Sequence, residues 1–196
     1  ALGEPKGLAG GVTRKREALK QKIKAAFECP SAIDNDTALV GLGEAVAGAG
    51  RGAKIMVYIT ISTGVGGVRI VDGQIDEYLD GFEPGHQIIN FREPDKVWED
   101  YVSGEAVSRE RGEHPAQIFD EMFWRERAKL VAVGLRNTIL HWSPEVIVLG
   151  GGMMKKPGYN IADIAAALAA QRPIFPAWPE LKLAALDDLG GLHGAL

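Results

Sequence analysis

Cysteine is nearly missing from this sequence: the single Cys29 has no second thiol in the chain to pair with, which excludes an internal disulfide framework. Long apolar runs are missing too. No stretch approaches the roughly 18 to 20 residues that a bilayer-spanning helix needs, so no membrane partner is expected. A basic excess is absent: 22 Lys and Arg stand against 26 Asp and Glu, for a net charge of −4. Without clustered cations there is no electrostatic footprint for duplex nucleic acid, and none is expected to bind this segment. The N-terminus lacks the basic-then-apolar layout of a secretory signal, and together these absences lead to the expectation of a cytoplasmic protein. The chain begins at Ala1 rather than Met, so its natural start is expected to lie upstream. No internal repeat or low-complexity segment occurs.

What is present is an ordinary globular composition, 46% hydrophobic and 24% charged over 196 residues, enough for one domain or a domain and part of another. The 25 glycines are nearly twice the usual share of about 7% and read as loop residues. Residues 1 to 11 read as a loop, and Thr13 to Phe27, with Leu19, Ile23 and Phe27 at helical spacing, as an amphipathic helix. Pro30 ends that helix and Ser31 to Asp34 reads as a short strand. Asp36 or Thr37 can then cap a helix through Leu39, Leu42 and Val46. Lys54 to Ser62 predicts a strand, and Val68 to Val71 leads through Asp72-Gly73 into Gln74-Ile75, the signal of a tight hairpin. Val97 to Arg111 and Pro115 to His141 predict helices, the second on Ile118, Met122, Leu130, Val133, Leu135, Ile139 and Leu140. Pro144 to Leu149 has the apolar run of a buried parallel strand, Ile161 to Gln171 reads as an Ala-rich helix, and Leu181 to Leu186 as a last strand.

Four short signatures carry chemistry. In Ile33-Asp34-Asn35-Asp36, the Asp36 carboxylate can accept a proton from a hydroxyl and Asn35 can donate to and accept from hydroxyls; the same residues also read as a turn and helix cap. Ser62-Thr63-Gly64-Val65-Gly66-Gly67 lies between two strands. Its N–H groups can form an anion-binding concavity with the Thr63 hydroxyl, although a bulged hairpin has the same composition. It is neither a Walker loop, since no Gly-Lys-Ser/Thr follows, nor a dinucleotide fingerprint, which would open a helix. Glu83-Pro84-Gly85-His86 sets a carboxylate and an imidazole three residues apart across a turn. In Val146 to Gly152 a strand delivers Gly150, Gly151 and Gly152, placed either for a ligand at the carboxyl end of a sheet or for close helix–strand packing. A further segment, Trp98-Glu99-Asp100-Tyr101-Val102-Ser103-Gly104, offers Glu99, which also reads as a helix-start carboxylate.

The order and spacing of these signatures resemble the ROK family (repressors, open reading frames and sugar kinases) over nearly all of residues 16 to 196. The resemblance implies an α/β, actin-like ATPase (ribonuclease-H-like) fold, mainly its C-terminal domain. Residues 1–30 would be a remnant of the N-terminal domain with a connecting helix, and 31–196 the sugar- and nucleotide-binding domain. It implies ATP-dependent phosphorylation of a hexose or N-acetylhexosamine, with Asp36 as catalytic base and Asn35, Glu83, His86 and Glu99 on the sugar. Thr63, Gly64, Gly66, Gly67, Gly150, Gly151 and Gly152 would lie near ATP and Mg2+, and the assembly would be a homodimer. Two features of the family are missing. The interval Gln87 to Val97 contains none of the cysteines that hold a structural zinc in many members, so no zinc is expected and other packing must order this loop. The Asp-x-Gly-Gly-Thr phosphate loop near the family's N-terminus has no counterpart, and both ends of the chain are expected to be trimmed. Two other readings stay open: the sugar-sensing domain of a ROK repressor, and a degenerate, non-catalytic ROK domain. Asp36 favours the kinase, because a sensor has no need of a base.

Overall fold

A long helix without proline, Leu8–Phe27 (α1), is the first described element. The structure is a computed structural model that describes residues 8–28, 34–76 and 81–196, with side chains from residue 18 onward apart from Asp188. Of the expected strand at Ser31 to Asp34, residues 31–33 lie outside the described residues, and Asp34 is not in a strand. The chain divides into two units, Ala1–Asn35 and Asp36–Leu196. In the first, the helix starts at Leu8 instead of near Thr13, so the Gly-rich segment is partly helical. Gly10 and Gly11 each cost a helix about 1 kcal/mol relative to Ala, and unlike proline neither removes an amide donor. Among the described residues no helix is long and apolar enough to cross a membrane.

In the second unit, strand alternation sets the layers. Ile55–Ile61 (β1) buries Met56 and Tyr58 on one face of the sheet and Val57, Ile59 and Ile61 on the other, as a period of two requires. Val65–Val71 (β2) pairs antiparallel with β1, and Gln74–Ile75 (β3) with β2. The β2–β3 turn uses positive φ at Asp72 (51°) and Gly73 (75°), as the tightest hairpins do. Val146–Gly150 (β4) runs parallel on the other side of β1 with Glu180–Leu183 (β5) beyond it, giving the order β3-β2-β1-β4-β5. Every β4 residue is buried, as in a strand covered on both faces.

Helices cover both faces. Asp36–Val46 (α2) packs against the Tyr58 and Val68 face. Glu99–Val102 (α3), Gly104–Arg111 (α4), Glu121–Trp142 (α5) and Ile161–Ala169 (α6) build the larger core on the Ile59 face. The helix expected from Pro115 starts only at Glu121, because Pro115–Gln117 is a separate 3-10 turn and the Asp120 side chain caps α5 by accepting the Phe123 amide at 3.0 Å. Met122, expected inside, is therefore exposed, and Trp124, Ala128, Val131 and Leu135 carry the buried stripe. Trp98 is fully buried, its indole N–H donating to the Leu130 carbonyl at 3.1 Å, and it lies directly over Gly134. A Cβ at Gly134 would overlap the indole ring, which a packed core gives little room to move. Gly134→Ala is therefore expected to cost about 1–3 kcal/mol, read as a thermal midpoint several degrees lower; an unchanged midpoint would show that the ring can shift freely.

The last helix, Gly190–Ala195 (α7), lies on α2 with backbones touching: a Cβ at Gly43 would overlap the Gly190 carbonyl, and one at Gly194 the Leu39 carbonyl. These glycines serve close packing between helices, which corrects the loop role expected for the residue. Glu44 closes the same junction. It is fully buried, with Oε1 accepting the amides of Ala185 (2.9 Å) and Leu186 (2.8 Å) and Oε2 that of Ala49 (2.8 Å). This also explains why β5 stops short of Leu186. Ala184 still donates to Leu149, but the next two amides turn away to Glu44.

Candidate active site

Helix α2 starts, at Asp36, near the end of the sheet where β1 ends and β2 begins. Gly41 lets α2 lie directly on Val68 and Tyr58, and Thr37 sits over Gly66, where a Cβ would be 3.0 Å from the Thr37 hydroxyl. The Asp36 carboxylate is exposed, and its Oδ1 accepts the amide of Thr37 at 2.7 Å. The same carboxylate thus holds an amide of the first helical turn and remains exposed, since it has acceptor capacity to spare. Asn35 closes the first unit, its amide donating to Asp34 Oδ1 at 2.7 Å.

The turn after β1 is tighter than the glycine count suggests. Ser62, Thr63 and Gly64 make it, Ser62 N–H donating to Gly64 O at 2.9 Å, and β2 resumes at Val65. Gly66 and Gly67 are strand residues opposite Thr60 and Ile59 and not part of the turn, which corrects the loop expected over all six residues. Their lack of a side chain makes room for neighbours: a Cβ on Gly67 would stand 2.8 Å from Pro84 Cγ. The start of α4 holds the turn, Gly104 N–H donating to Ser62 O at 2.7 Å and Glu105 N–H to Thr63 O at 3.3 Å.

Glu83, His86 and Glu99 come together. Pro84–His86 forms a 3-10 turn whose Gly85 touches the Val65 carbonyl. His86 Nδ1 lies 3.4 Å from Glu83 Oε2, and its Nε2 3.9 Å from Glu99 Oε1. The other Glu99 oxygen accepts the Val65 amide at 3.2 Å. Glu99 is thus both a helix-start carboxylate and the link between the imidazole and the turn after β1. Among the described residues no group of three or more His, Cys, Asp or Glu could hold a metal. Polar contacts order the loop from Gln87 to Val97: Glu93 accepts from Asn90, from the Tyr101 hydroxyl and from Lys96, and Trp98 N–H returns to Gln87 O at 2.8 Å. Lys96, then Tyr101, hold the Glu93 carboxyl below the usual carboxylate range. Its ordering of the loop is present above the ordinary carboxylate pKa and is lost as pH falls through the lowered value.

The glycine turn at the end of β4 stands beside the end of β1, Gly150 opposite Thr60. Gly151 has φ 93°, and a Cβ there would overlap the Ile61 carbonyl and stand 2.7 Å from the Thr60 hydroxyl. Gly150 lies over the Tyr58 phenol. Burial pushes that phenol above its ordinary value, a hydrogen bond with Thr60 opposes the shift, and the Glu44 and Asp36 carboxylates add to it. Two clefts open here. One, of about 430 Å³, is lined by Tyr58, Gly150 to Gly152, Lys155 and Asp187 among others. The other, of about 650 Å³, is lined by Ser62, Thr63, Ser108, Gly152 and Lys155 among others. Sequence reasoning missed Tyr58 and Lys155. Tyr58 looks like any inward strand residue, and Lys155 carries no motif.

A mixed five-stranded sheet between helical layers, with an acidic residue starting a helix near the end of β1 and a glycine turn at the end of its parallel neighbour β4, defines the chain as a domain of the actin-like ATPase fold. The ROK family model matches residues 11–196, and the chain belongs to that family. Fructokinase from Zymomonas mobilis is 34% identical over 152 residues, covering 69% of this chain and 50% of the fructokinase. The ROK hexokinase from Thermus thermophilus superposes with a TM-score of 0.81 at 25% identity, over 90% of this chain and 67% of that one. A ROK family glucokinase from Streptomyces griseus, solved with glucose and AMPPNP, shares the fold at TM-score 0.74 and 23% identity, over 90% of this chain and 70% of that one. The chain spans about half the length of the curated relatives it matches.

Proposed function

We propose that residues 31–196 form the sugar- and nucleotide-binding domain of an ATP-dependent kinase for a hexose or N-acetylhexosamine. The observation that carries this reading is Glu99: one carboxylate bridges His86, flanked by Glu83, and the amide that follows the Ser62–Gly64 turn. A hydroxyl-binding cluster and an anion-binding turn are thereby one connected unit, as transfer of a phosphoryl group to a hydroxyl requires. The kinase names of the Zymomonas and Thermus relatives support it. Residues near the clefts fit a nucleotide: Gly152, which lines both, has open space where a side chain would stand, and the Ser62–Gly64 turn offers amides and hydroxyls. When bound, MgATP supplies the phosphoryl group and neutralises charge on it.

Each protein group then has a task. Asn35, Glu83, His86 and Glu99 hold the sugar by hydrogen bonds to its hydroxyls. Asp36 takes the proton of the attacking hydroxyl as that oxygen bonds to the terminal phosphorus of ATP and the bond from phosphorus to the bridging oxygen breaks, the electron pair leaving with ADP. Thr63 and Gly64 receive the phosphate, while Gly66 and Gly67 shape the strand behind them and Gly150 to Gly152 make the nucleotide's floor. Calorimetric titration with glucose, N-acetylglucosamine and N-acetylmannosamine tests the sugar site. One of them is expected to bind, and His86→Ala to weaken it about 10–100-fold, the loss of hydrogen bonds from a charged cluster. Equal binding by the variant, or none by the parent chain, would remove the sugar pocket from the reading.

A further inference from the structure

Phosphoryl transfer places concentrated negative charge beside the Ser62–Gly64 turn, and hydroxyls and amides alone leave it without a cation from the protein. Of the residues lining the two clefts, Gly152 and Lys155 belong to both. A ligand passing from the glycine turn to Thr63 would therefore run alongside Lys155. The backbone beneath this side chain is held firmly. Lys155 N–H donates to Gly152 O at 3.2 Å, Tyr159 N–H to Met153 O at 2.8 Å, and the buried Tyr159 hydroxyl to Val102 O at 2.8 Å. The side chain itself is exposed, with its ammonium 3.9 Å from Asp187 Oδ1, an acid that lines the smaller cleft. Both groups of this pair are mostly in water, so the pairing is weak and easily exchanged.

We propose that Lys155 is the cation that binds nucleotide phosphate in this domain, leaving Asp187 to do so. The inference rests on the reading of these clefts as a nucleotide site. A long, flexible ammonium on a rigid turn suits a ligand whose phosphates move during the reaction, and Asp187 parks the charge beside the cleft in the meantime. The turn carrying Asp187 follows Leu186, whose amide is bound by Glu44 of α2, so nucleotide charge would also be felt by the helix that carries Asp36.

Calorimetric titration of the chain with ATP, ADP and adenosine, each with Mg2+, tests this in the parent protein and in Lys155→Met, Lys155→Arg and Asp187→Asn. The expected result is a loss of about tenfold or more in ATP and ADP affinity for Lys155→Met, with adenosine unchanged. Lys155→Arg keeps most of the phosphate affinity and Asp187→Asn raises it. Loss of all three ligands in equal proportion, or unchanged ATP affinity, in Lys155→Met would overturn the assignment while leaving the nucleotide site standing. Failure of the parent protein to bind any of the three would overturn the nucleotide site and the role of Lys155 with it.

Discussion

Asp36→Asn is expected to lower the proposed sugar phosphorylation about 10²–10⁴-fold while leaving sugar affinity nearly unchanged. Asparagine keeps the size of the side chain and an oxygen for the Thr37 amide. What it removes is the ability to accept a proton, so the effect should fall on kcat and spare KM. Steady-state kinetics and a urea melt, run together, separate lost chemistry from lost fold. Undiminished turnover in the variant would show that Asp36 is not the base. A parent protein that binds sugar, binds nucleotide and still transfers no phosphate would instead favour the sensing domain of a repressor.

The second large effect concerns stability. Glu44→Ala is expected to cost about 3–5 kcal/mol, because a buried carboxylate is the acceptor for three amides, those of Ala49, Ala185 and Leu186, which would be left without it. Glu44→Gln should cost roughly half as much: one oxygen remains for Ala185 and Leu186, but an amide donor would face the donor of Ala49. The check is the urea midpoint at constant slope. A Glu44→Ala protein that unfolds at the parent's midpoint would mean that water replaces the carboxylate without loss. Because α2 carries Asp36 at its other end, the Gln variant, if folded, should also turn over more slowly.

Much of the framework was legible in the residues because its determinants are local. Alternation over Lys54 to Ser62, the Asp72-Gly73 turn, the apolar run at Pro144 to Leu149 and the Ala-rich stretch from Ile161 each matched the element found. Where local rules competed, boundaries moved. Asp120 won the start of α5 from Pro115, and Glu44 ended β5 by taking its next amides. Glycine misled most, since Gly41, Gly43, Gly134 and Gly194 are needed for neighbours that arrive from 17 to over 140 residues away in sequence.

The site divides the same way. The sequence by itself determined which chemical groups were available, an acid at a helix start, an imidazole three residues after a carboxylate and two glycine-rich segments, because these lie in short signatures whose order and spacing can be read along the chain. Only the tertiary structure decided that Glu99 would join His86 to the turn after β1, that Gly66 and Gly67 would be strand and not turn, and that Tyr58 and Lys155 would stand at the clefts. Those outcomes come from packing two helical layers onto one sheet, where contacts form between residues tens of positions apart and no local pattern records which ones will meet.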